Sequence, residues 1–115
     1  MSPNVQTACA ALVQTLDVFA NDWPIPQFRV ADEQGVLLMY AQRLGQTWWL
    51  QGSLVDDALD SLGVTGMNAF LVRRDKIQAF QSQAGKVGGK ELSDQDQIDV
   101  ALGTQELLYG ARVAA

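Results

Sequence analysis

The sequence predicts an α+β domain, an antiparallel sheet of about five strands with three helices in the order α-β-β-β-α-β-β-α. Three observations predict it. Apolar residues recur at three- and four-residue steps near both ends of the chain, as amphipathic helices require. Between those ends lie short stretches that alternate polar and apolar residues, as half-buried strands do. Turn-forming clusters, Asp32-Glu33-Gln34-Gly35 and Leu44-Gly45-Gln46, separate these stretches closely enough for hairpins. An all-α bundle is the alternative architecture. The chain has 115 residues, 48% apolar and 18% charged, which suits a single domain over 1–115 with a core of its own.

The elements follow in order. Residues 4 to 20 form an amphipathic helix with Val5, Ala8, Leu12, Leu16 and Phe19 on one face. Ser2 or Asn4 caps it, and Pro3 is tolerated in the first turn. Asn21-Asp22-Trp23-Pro24-Ile25-Pro26 ends it, because each proline forces the preceding residue out of the helical region. Strands are expected over 27–31, 36–43 and 47–51. A helix competes over 36–50, where Leu37, Tyr40, Leu44 and Trp48 also fit a helical step.

A short helix starts at Ser53, which caps it, with Asp56 three residues on. Leu54, Ala58, Leu59 and Leu62 supply its apolar face, and Gly63 follows its end. Asn68 to Arg74 and Ile77 to Ser82 read as a second hairpin around Asp75-Lys76; one long helix over 66–84 is the alternative. Residues 85–92, rich in glycine, read as a flexible loop. Ser93 caps a last helix, with Asp94 and Asp96 at its positive end. Ile98, Ala101, Leu102, Leu108 and Tyr109 are its expected buried side, and Gly103 weakens it slightly.

Charge and composition exclude several functions. Eight Lys and Arg against thirteen Asp and Glu leave a formal charge of −5, which argues against nucleic acid as a partner. The densest basic run is Arg73, Arg74 and Lys76, broken by Asp75. Histidine is absent, so His-dependent triads and His-containing zinc sites are excluded. The lone Cys9 cannot form an internal disulfide and reads as a buried structural thiol. Gly88-Gly89-Lys90 is followed by Glu91 and lacks the spacing of a phosphate loop. No apolar run reaches the length of a membrane span, and Met-Ser-Pro-Asn is no secretory leader. The expectation is a cytoplasmic protein with no cofactor and no metal.

Few residues stand out as candidate contacts. Trp48 and Trp49 are neighbours on a predicted strand, so they point to opposite faces. One indole can enter the core; a helix or another molecule must cover the other. Arg73 and Arg74 diverge in the same way, as surface ion pairs or as anchors for an acidic partner segment. Asp56, Asp57 and Asp60 are explained by helix-start electrostatics. Tyr40, Asp32 and Glu33 are what an acid–base site without histidine would use, and nothing in the sequence places them together.

The expected function is a non-enzymatic protein-binding module, a homodimer that uses exposed aromatics and sheet surface. Its contact residues would be Trp48, Trp49, Tyr40, Phe28, Arg73 and Arg74. The alternative is a small-molecule-binding domain in which Phe28, Tyr40 and Trp48 or Trp49 line a pocket between sheet and helices. The predicted element order and the acidic, compact build resemble those of the class I chaperones of type III secretion systems. That resemblance spans the chain and implies a dimer that binds an unfolded stretch of one partner protein. Immunity-like or antitoxin-like inhibitors, and accessory proteins of mobile elements, fit the same physical description.

Overall fold

Asn4 accepts a hydrogen bond from the Thr7 N–H at 2.8 Å and caps α1 (Val5–Ala20). The computed structural model describes residues 4–21, 23–82, 88–110 and 112–114. Ser2, Pro3 and Asp22, and the first residues of the expected loop, 85–87, lie outside the described residues. The extended Pro24–Pro26 stretch leads into β1 (Gln27–Ala31), β2 (Leu37–Leu44) and β3 (Thr47–Gln51). After α2 (Ser53–Ser61) come β4 (Ala69–Val72), β5 (Ile77–Phe80), β6 (Gly89–Glu91), α3 (Asp94–Gly110) and β7 (Arg112–Ala114).

The fold is α+β, as expected, with one antiparallel sheet in the order β6-β5-β4-β3-β2-β1-β7. It carries two short strands more than the sequence suggests. β6 replaces the second half of the expected 85–92 loop and pairs with β5 through Gln78↔Glu91 and Phe80↔Gly89. β7 pairs with β1 through Val30↔Val113. Period-two alternation governs 36–50 and 69–80, so both competing helices are absent. Met39, Ala41, Trp48, Leu50, Phe70, Val72, Ile77 and Ala79 are all buried on one face.

The helices lie on that face. α1 buries Ala8, Cys9, Leu12, Val13 and Leu16, and α2 buries Val55 and Leu59. α1 packs on α3, and α2 packs on β2, β3 and β4. Asp17 on α1 ties the layers together. Its carboxylate accepts from Trp48 Nε1 at 2.9 Å and pairs with Arg43 at 3.2 Å and Arg74 at 3.6 Å.

Two local expectations need correction. Gly52, not Ser53, occupies the cap position of α2, at φ +129° and with no side-chain cap. A Cβ there would stand 2.6 Å from the Leu38 carbonyl oxygen, so the close approach of β2 demands glycine. On α3 the buried residues are Gln97, Ala101 and Leu108, whereas Leu102 and Tyr109 are exposed. Gln97 is held inside because it accepts from the Ile77 N–H and donates to the Leu92 carbonyl. That pins the face of α3 about a third of a turn away from the one Leu102 and Tyr109 share.

Candidate functional site

The strand pleat splits each pair of neighbouring residues between two environments. Trp48 has 0% exposure and packs its ring 5.7 Å from Phe28, itself fully buried. Trp49 points to the opposite face, which none of the described helices covers, and is half-buried. The reading in which helices cover both indoles is therefore incorrect. Trp48 and Phe28 are core residues and are removed from the contact set.

The helix-free face is built by register. Across it run Arg29↔Tyr40↔Gln51↔Ala69↔Phe80 and Gln42↔Trp49↔Leu71↔Gln78. Trp49 meets Phe80 edge-on, with ring centroids 5.1 Å apart and planes at 90°. The Tyr40 hydroxyl donates to Gln27 Oε1 at 2.8 Å, which holds that ring against the sheet. Gln51 Nε2 donates to the Ser82 hydroxyl, and the Ser82 N–H donates to Asn68 Oδ1 at 3.0 Å. Gln42, Leu44, Trp49, Gln51, Phe80 and Ser82 outline a shallow depression of about 330 Å3 on this face.

Strands β2, β3 and β4 contribute no charged side chain to it. Their outward residues are Leu38, Tyr40, Gln42, Leu44, Thr47, Trp49, Gln51, Ala69 and Leu71. Charge enters at the margins, with Arg29 on β1, Arg73 just past β4 and Glu91 on β6. Of the residues on this face, sequence reasoning names Trp49 and Tyr40 and does not name Phe80, Leu71 or Leu38. The signal was present: in a strand whose Phe70 and Val72 face the core, Leu71 must face away.

The arginines separate as alternation requires. Arg74 is turned to the helix side, where it meets Asp17; its role there is to tie the β4–β5 turn to α1. Arg73 is half-buried, and its N–H donates to the Lys76 carbonyl at 2.9 Å to close that turn. The central turn residues are thus Arg74-Asp75, one position before the pair expected.

The remaining candidates are dispersed. Asp32 Oδ1 accepts from the Gln34 and Val36 N–H groups, both at 2.9 Å, and shapes the β1–β2 turn. Glu33, Asp56, Asp57 and Asp60 are exposed. The pocket expected from Phe28, Tyr40 and a tryptophan does not form, since Phe28 and Trp48 lie on one side of the sheet and Tyr40 and Trp49 on the other. Among the described residues, no helix is long and apolar enough to cross a membrane. Comparison with family models, with curated proteins and with solved structures gives no match. The resemblance to secretion chaperones accordingly rests on element order, to which β6 and β7 are additions.

Proposed function

We propose that this protein is a non-enzymatic protein-binding module that self-associates through the helix-free face of its sheet. The observation that carries this reading is the uncharged outer surface of β2, β3 and β4, with Trp49 and Leu71 on it and Phe80 of β5 beside them. Protein interfaces are depleted of charge at their centre, enriched there in aromatics, and polar at the rim. A solvated sheet face commonly alternates charged residues instead. Here the polar positions are Gln42, Thr47 and Gln51, whose neutral groups can be desolvated against a partner's backbone or amides at modest cost.

The distribution of charge supports self-association on this side. α2 and α3 together hold Asp56, Asp57, Asp60, Asp94, Asp96, Asp99 and Glu106, and neither helix contains Lys or Arg. Two copies joined sheet to sheet turn these acidic helices away from one another. The dispersal of Asp32, Glu33 and Asp56 supports a binding rather than a catalytic role, chaperone-, adaptor- or inhibitor-like. We infer a cytoplasmic setting; the single buried thiol gives no evidence for an oxidising compartment.

Sedimentation velocity on the wild type and on a Trp49→Ser, Leu71→Ser double variant tests the reading. The wild type should sediment as a dimer and the variant as a monomer of unchanged melting temperature to within a few degrees. Trp48→Ser should instead unfold, because losing a large core aromatic costs about 3–5 kcal/mol. A double variant that stays folded and associates as the wild type does contradicts the proposal. Should the double variant unfold, Trp49→Gln alone carries the test.

A further inference from the structure

On the helix side of the sheet, a groove of about 360 Å3 separates α2 from α3. Leu54, Ala58 and Leu62 form one wall; Val100, Thr104 and Leu107 form the other. Met39 and Phe70 floor it, each 2% exposed. The groove exists because the two helices have different supports. α3 packs mainly on α1, α2 packs on β2, β3 and β4, and the wall side chains remain only half-buried. It lies across the sheet from the Trp49 surface, so it is a second surface that the proposed function leaves unused.

We infer that this groove receives a basic amphipathic helix from a partner protein. Charge complementarity identifies the occupant. Asp99 lines the groove itself. Asp57 shares a helix face with Leu54 and Ser61, and Asp96 shares one with Asp99 and Val100. Both flanking helices carry carboxylates and no cation, so each lip of an apolar slot is negative. A helix with leucine-like anchors at i, i+3 or i+4 and i+7 fills such a slot, and lysines or arginines beside the anchors meet the lips. The length agrees: α2 has nine residues, about 13 Å of helix, which faces a little over two turns of a partner. A second copy of this chain is disfavoured at this place, because it would bring carboxylates against carboxylates.

Gly103 offers a clean probe. It lines the groove, and a Cβ built on it meets nothing within 4 Å. Gly103→Leu puts a side chain where the partner helix would lie and at the same time improves helix propensity, so the variant should fold. The experiment uses the full chain labelled with methyl-13C methionine. The ligands are two synthetic peptides of about twelve residues with identical leucine anchors, one flanked by lysine and one by glutamate.

The lysine peptide should bind saturably, shift the Met39 methyl signal, weaken with added salt, and lose about tenfold or more in affinity for Gly103→Leu. The glutamate peptide should not bind over the same range. Equal binding of the two peptides, or lysine-peptide binding that leaves Met39 unmoved and is indifferent to Gly103→Leu, overturns the inference. So does a Met39 signal in the Trp49→Ser, Leu71→Ser variant, whose sheet face cannot associate, that shifts with protein concentration alone, which would assign the groove to a second copy. Laurate moving Met39 where the lysine peptide does not would assign it to a small apolar ligand and overturn it as well. None of these outcomes depends on Trp49, so the inference stands or falls separately from the sheet-face reading.

Discussion

Trp48 and Trp49 are neighbours with opposite fates, and the pleat decides between them. Trp48 satisfies its indole N–H inside the protein by donating to Asp17, a condition for burying that ring. Trp49 finds Phe80 as an edge-on neighbour and keeps part of its surface exposed. Cys9 is a third instructive residue. It is fully buried on α1, and burial, with the Asp75 carboxylate adding to it, pushes its thiol up to about 11. The folded protein therefore keeps this proton at pH values where the unfolded chain has begun to lose it. The stabilising contribution is complete below about pH 9 and declines as pH rises toward 11. Native protein at pH 8 should resist alkylation by iodoacetamide, and protein in denaturant should react quickly; mass spectrometry of the two reads the difference. Rapid modification under native conditions would show that the α1 packing is looser than described.

At the scale of elements, the junction between β3 and α2 is the tightest point. Gly52 combines φ +129° with a Cβ position 2.6 Å from a backbone oxygen. At the other end of α2, Gly63 takes φ +71°, and a Cβ there would meet open space. Its N–H donates to the Asp60 carbonyl and the Val64 N–H to that of Leu59, a double closure of the helix end. Gly63→Ala should cost about 1 kcal/mol in urea unfolding, from backbone strain alone. Gly52→Ala should cost more, about 2–3 kcal/mol or higher, because β2 must also move. Equal costs would mean that the β2 contact yields without resistance.

These elements were unequally legible. α1, its Asn4 cap, the hairpin turn at Asp32–Gly35 and the Ser93 cap, whose hydroxyl accepts from the Asp96 N–H at 3.2 Å, all follow from local chemistry. β6 was hidden because glycines read as a loop. Yet Gly89 sits beneath the Phe80 ring, and a Cβ there would lie 3.2 Å from that ring. The glycine that suggests flexibility is what lets the aromatic lie over the edge strand. β7 is three residues long and pairs with a strand at the far end of the sequence, too short for a period to register. On α3, Ala101 and Leu108 are buried as expected and Ile98 packs on the core, but Leu102 and Tyr109 fall outside the buried face, which Gln97, a polar residue, anchors from within. The paired tryptophans lie on a strand, as expected, but which indole faced out required knowing where the helices lie.

The whole molecule is polarised. Acidic helices cover one face of the sheet, and the other face presents aromatics and amides with charge at its margins. The net charge is −5, and the acidic residues of α2 and α3 concentrate it on the helix side of the sheet. The sheet-face proposal and the groove inference both rest on this asymmetry: the first places like copies where charge is sparse, the second a basic helix where negative charge is dense. The most direct measurement is native mass spectrometry of the full chain purified under mild conditions, which reads oligomer mass and any retained small molecule together. A dimer free of added mass is the predicted result. A monomer carrying a defined extra mass would contradict self-association through the Trp49 face and establish a ligand-binding domain in its place.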